Sequence, residues 1–213
     1  MQASVKNAGL FATYIMLTLI TPATLTTPSL ADVKLHLRVN ISDDDTLIQD
    51  LISAAQATVE HDCNLSLGTT TWKETFPEFP VFRSLHPWWS ELRHEKIYPL
   101  KRPLQSVTSV QYYDINTNVL TTLDPSLYIV ETPFKLPGVI APLTFCFPLT
   151  WTRDDAVTVT YVAGFATMPS VAIQVIKLLV EGWYYARENQ VASQLEAATQ
   201  RLLSQLNTSG YPG

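Results

Sequence analysis

Charge is scarce in this chain. Of 213 residues, 14 are Lys or Arg and 19 are Asp or Glu, 15% in all, where an ordinary soluble domain has about 25%. A charged disordered tail needs more than this, and a nucleic-acid gripper needs a basic stripe. Here Lys101-Arg102 is the only adjacent basic pair, and the net charge is −5. Glycine is scarce too, seven residues in all, and none sits in a loop built to cradle phosphate. Cys63 and Cys146 have no CxxC spacing or finger-type His pair, which excludes a structural zinc site and leaves two small buried thiols, with a single disulfide as the alternative. GxSxG and HExxH are absent, so no nucleophile or metalloprotease motif is present. No 18-residue charge-free apolar run ends in flanks that would make a membrane span, so no membrane partner is expected. What remains is 46% apolar, with five Trp, nine Tyr and eight Phe: enough for a core, and a surface fit to be covered by partners.

The N-terminus carries two readings. Lys6, the apolar stretch Gly9 to Ile20 and the small-x-small triplet Ser29-Leu30-Ala31 have the order of a secretory signal. Against this, Leu17-Thr-Leu-Ile20 reads as a strand ended by Thr21-Pro22, and Met16 offers an internal start. Residues 1–28 are therefore taken as an N-terminal arm.

Periodicity divides the rest. Ser29 with Asp32 forms a capping-box start, and Leu30, Val33, Leu35 and Leu37 outline a short helix stopping near Val39-Asn40. Ser42 with Asp45 repeats the device, and Leu47, Ile48, Leu51, Ile52, Ala55 and Val59 predict an amphipathic helix from 43 to about 63. From Thr69 the period becomes two. Strands are expected near 70–73, 107–113, 127–131, 139–141 and 156–162, with turns at Asn116-Thr117-Asn118 and Asp124-Pro125. Helices return at 169 to about 188 and at Ala192 to Leu206. The fold class is α+β: a small helical bundle (29–66 and 166–207) interrupted by an antiparallel β insertion (67–165), with 208–213 a flexible C-terminus.

Chemistry is hard to find along this frame, and neither a catalytic role nor a cofactor is expected. Asp43, Asp44 and Asp45 open a helix, where carboxylates answer free N–H groups and the dipole rather than a metal. His61 and Cys63 lie two residues apart at a helix end and face different directions. His86, His94 and Glu95 share one loop without ligand spacing. That loop, 77–95, holds three prolines and the Trp88-Trp89 pair; long aromatic loops in compact units are functional more often than idle. Phe79, Phe82, Trp88, Trp89 and Arg93 are thus interface candidates. So are Leu195, Leu202, Leu203 and Leu206 of the last helix, expected to be mobile alone and to order against a partner.

Several stretches, in order, carry a resemblance. Thr21-Pro22, Ser29-Leu-Ala-Asp-Val-Lys-Leu-His-Leu-Arg38, Asp43-Asp-Asp-Thr-Leu-Ile48, Tyr98 to Asp114, and Val157 to Gly164 followed by Pro169 and Trp183 to Arg187 resemble the head-tail connector, or adaptor, proteins of tailed double-stranded DNA bacteriophages. The likeness spans about 17–188 and rests on the ordered set, since each piece alone is only capping, patterning and turn chemistry. The chain departs from the pattern in loop 77–95, in the glycine-free turn Ile115 to Val119 and in its last helix. The resemblance implies a structural virion protein: a homo-oligomeric ring, of twelve copies in the family, under the portal protein at the neck between capsid and tail. It implies assembly in the host cytoplasm, a lumen through which packaged DNA passes without specific binding, and a docking surface for the tail or a tail-side stopper protein. The rival expectation is an exported β-rich binding protein using the N-terminal stretch as its signal.

Overall fold

A computed structural model describes residues 15–80, 96–132, 139–142, 147–185 and 192–207. Its elements run β1 (Met16–Thr21), α1 (Leu30–Leu37), α2 (Asp45–Asp62), β2 (Thr70–Phe76), β3 (Leu104–Tyr113), β4 (Leu120–Thr122), β5 (Tyr128–Glu131), β6 (Val139–Pro142), β7 (Val157–Ala163), α3 (Ser170–Tyr185) and α4 (Ala192–Asn207). The fold is mixed α+β, as expected. Two compact units result: a helical one from Ala23–Thr69 and the residues after Ala163, and a β unit in which β1 joins Thr70–Ala163.

In the helical unit, Ser29 caps α1 as its sequence predicts: its Oγ accepts the Asp32 N–H, while Asp32 accepts the Ser29 N–H. Arg38 ends the helix in the left-handed region, φ 57°. Val33 and Leu37, four residues apart, are buried, whereas Leu35 between them is 80% exposed. A 3.6-residue period puts i+2 on the far side, which corrects the apolar role expected of Leu35. The expected Ser42/Asp45 cap is also corrected. Asp44 precedes α2 without a side-chain cap; Ser42 contributes only its carbonyl to the Asp45 N–H, and the Asp45 carboxylate is engaged by Lys34 Nζ at 2.5 Å. Ile48, Ile52, Ala55 and Val59 of α2 pack with Ala172, Val175, Ile176 and Val180 of α3 in one core, the i, i+4 stripe turned into buried area.

In the β unit, a five-stranded antiparallel sheet has the order β1-β2-β7-β3-β4, and β5-β6 form a separate pair. β7 is central, which is why Val157, Val159, Tyr161 and Ala163 are all buried. β2 and β7 pair from Thr70 opposite Ala163 to Phe76 opposite Val157, so the first long strand of the unit and its last are zipped together. Residues 16–21, assigned by sequence to an arm, are an edge strand of this sheet; the alternative strand at Leu17–Ile20 is the one observed. The glycine-free turn works because Asn118 takes φ 52° and Asp114 accepts the Asn116 and Thr117 N–H groups; Asn is tolerant of the left-handed region.

Candidate interaction surfaces

The terminal helix packs against its own unit. Leu203 of α4 is buried, and Leu202 and Leu206 pack partly buried on the same core as α2 and α3. The buried Cys63 sits with its Sγ 3.9 Å from the Leu203 carbonyl. Leu195 lies on the α4 backbone path. Three of the four leucines expected to meet a partner thus pack on their own unit's core.

Phe79 is also a core residue, 2% exposed. Its ring stacks on Phe147 at 4.5 Å and 10°, and tilts against Tyr112 at 5.8 Å. Phe82, Trp88, Trp89 and Arg93 lie outside the described residues, as do His86, His94, Glu95 and Cys146. The chain that follows the aromatic loop is held firmly. Ile97 and Ile140 exchange both backbone hydrogen bonds, at 2.9 and 3.0 Å, and Glu74 of β2 ties down the next residues. One Glu74 oxygen, Oε1, accepts the Tyr161 hydroxyl at 2.5 Å and the Leu100 N–H at 2.7 Å; Tyr161 in turn accepts the Lys101 N–H at 3.2 Å. Burial pushes the Glu74 carboxyl up to about 7 against these two hydrogen bonds, and burial beside Glu74 raises the Tyr161 phenol as well. Nothing in the sequence marked Glu74, since a lone Glu in an alternating strand reads as solvent-facing.

The other polar residues singled out by sequence that lie among the described residues brace helices or stand apart. Asp44 Oδ2 accepts the Tyr184 hydroxyl at 2.7 Å, and Asp45 is paired with Lys34, so two of the three aspartates brace helices. His61 faces Asp62 at 3.1 Å on an 86% exposed side chain, while Cys63 is buried; the two do not meet. Among the described residues no three His, Cys, Asp or Glu side chains converge as a metal site would require. Nor is any described helix long and apolar enough to cross a membrane.

Exposed apolar residues, by contrast, concentrate in the β unit. Met16, Leu19 and Ile20 stand out on β1; Ile115, Val119 and Leu120 on the β3–β4 hairpin; and Leu149 and Trp151 on the segment bridging Asp114 and Thr150. Arg153 lies 3.6 Å over the Tyr113 ring, fixed by Asp155 through two hydrogen bonds at 2.5 and 2.9 Å. Sequence reasoning missed these surfaces, because an apolar strand is written alike whether it ends up central or at an edge.

Three comparisons bear on this architecture. Residues 27–94 match the family model of phage gp6-like head-tail connector proteins. Solved structures share the fold over nearly the whole chain. A chain in the neck of an empty gene transfer agent particle, with C6 symmetry, aligns at TM-score 0.67 and 18% identity, covering 93% of this chain and 98% of that one. A chain from the virion of the native gene transfer agent particle aligns at 0.68 and 19%, covering 92% and 97%; one from the native neck with C12 symmetry aligns at 0.66 and 19%, covering 93% and 98%. No curated protein matches the chain significantly. The resemblance read from the ordered motifs is thus borne out where the family model reaches, over residues 27–94, and the fold of the whole chain is similar to that of the neck chains.

Proposed function

We propose that this protein is a structural component of a phage-type virion neck, assembling as a ring beneath the portal, lengthening the DNA channel and offering the tail, or a tail-side stopper, a surface to dock on. The observation that carries this reading is the coincidence of two independent likenesses: the connector family over 27–94, and the fold of neck chains over nine-tenths of the length. The neck structures were treated with C6 and C12 symmetry, which supports a ring for this chain as well. Low charge with exposed apolar strands suits a subunit flanked by copies of itself. Scattered basic residues and a net charge of −5 suit a lumen through which DNA slides, because each Lys or Arg contact to phosphate adds affinity. A structural role is favoured over an enzymatic one by the same comparisons, and Trp88 and Trp89 remain the proposed anchors toward a neighbouring neck protein. Electron microscopy of particles containing a tagged copy tests the proposal: the tag is expected in a ring at the portal exit. A tag on the capsid shell or along the tail would overturn it.

A further inference from the structure

An edge strand leaves one row of backbone groups without a ladder, and natural proteins guard such edges with charged side chains, proline or a covering element. Neither edge strand of the five-stranded sheet is guarded by charge. β1 reads Met-Leu-Thr-Leu-Ile-Thr and β4 reads Leu-Thr-Thr. Along β1, Met16, Leu19 and Ile20 are 49%, 46% and 52% exposed; at the β4 edge, Ile115, Val119 and Leu120 are 40%, 58% and 45% exposed. These two uncharged apolar patches lie at opposite ends of one sheet, separated by β2, β7 and β3, which places them about 19 Å apart across four strand spacings.

Two different patches on opposite flanks of a subunit are what a head-to-tail, ring-forming contact requires, whereas a two-fold dimer needs only one self-complementary patch. We infer that the β4-edge patch of one copy packs against the β1 patch of the next copy, so that a single repeated contact covers both unguarded edges of every sheet. A second copy is the fitting occupant because it supplies both partners at once. A different protein seated on either patch would leave the other open to water, in a chain that spent no Lys or Glu on protecting it. The inference rests on the ring proposed above and adds which surfaces build it.

Complementation between two broken variants tests the contact. Leu19→Lys spoils only the β1 patch and Leu120→Lys only the β4 patch; both side chains are already nearly half exposed, so unchanged thermal midpoints are expected, with Ile20→Lys and Val119→Lys as replacements if either variant unfolds. In analytical ultracentrifugation of the full-length chain, wild type is expected to associate beyond dimers, and each variant alone to associate at least about tenfold more weakly. Mixed one to one, the variants retain one intact contact per pair and should stop at heterodimers. Variants that associate like wild type would overturn the inference while leaving the neck ring standing. So would a wild-type chain that stays monomeric at about 1 mM, where even weak specific contacts are populated. Failure of the tagged protein to locate at the neck would instead remove the reading beneath it.

Discussion

Glu74 is the only acidic or basic side chain fully buried among the described residues, and its position makes stability depend on pH in an unusual direction. Its carboxyl rises from 4.5 in the open chain to about 7 in the fold, so the folded state holds the proton more tightly than the unfolded state does. The resulting stability is complete below pH 4.5 and is lost as pH climbs through 7. A rise of that size corresponds to about 3 kcal/mol less stability at about pH 8.5 than in mild acid. Glu74→Gln keeps an oxygen for Tyr161 and Leu100 and should flatten the slope, as urea unfolding at about pH 5 and pH 8.5 would reveal; parallel pH profiles for the two proteins would contradict the assignment. The exposed carboxylates Asp32, Asp114 and Asp124, held low by hydrogen bonds to Ser29, Asn116 and Ser126 respectively, act with the opposite sign and only in stronger acid. Gly164 is the other decisive residue. It has φ +118°, and a Cβ there would stand 1.9 Å from the Gly68 carbonyl oxygen. Gly164→Ala should therefore cost at least about 2 kcal/mol through backbone strain and collision, read as a drop in thermal midpoint; a Cβ on Gly68 would stand 2.8 Å from both Leu25 Cδ2, which can turn aside, and the Ala23 Cβ, which moves only with its backbone.

Among elements, α4 and β1 show best how packing outranks local pattern. α4 has the leucine spacing of an amphipathic helix, which any apolar groove would satisfy. Its own unit offers one, where Leu203 reaches 8% exposure among the core residues of α2 and α3. Leu203→Ala should cost about 2–5 kcal/mol, measured by denaturant unfolding of the free chain; a loss below about 0.5 kcal/mol would return the helix to the status of an undocked tail. β1 is the reverse case, a short strand with apolar residues on both faces and only one neighbour in the sheet, β2. Despite its apolar residues, most of it is exposed.

For the whole molecule, a chain with 15% charged residues and exposed edges is built to be read in company. The aromatic loop belongs to this scale, since its root is fixed by Glu74, Tyr161 and the Ile97–Ile140 pair and a rigid root is what a recognition loop needs. If Trp88 and Trp89 anchor a neighbouring neck protein, replacing both with Ala should leave the thermal midpoint within the range of surface changes, below about 0.5 kcal/mol, and weaken assembly by about 2 kcal/mol or more for each. A midpoint that falls sharply would mean that the tryptophans fill core volume instead, a loss of about 3–5 kcal/mol for a buried Trp. Assembly and stability measured side by side separate the two.

Capping, periodicity and turn chemistry are local, acting over three or four residues, and that is why the Ser29 box, the α2 stripe, the Asn116–Asn118 turn and the switch from helix to strand at Thr70 could all be read from residue order. The ordered set of these local signals was also enough to carry the family resemblance. Strand order, burial and exposure are not local. Whether Glu74 meets water or Tyr161, whether Phe79 serves as an anchor or a core ring, and which strands are left at the edges depend on which distant segments pair. In this chain β7, some eighty residues after β2 in sequence, takes the centre of the sheet, and that long-range pairing alone turned β1 and β4 into its two open sides.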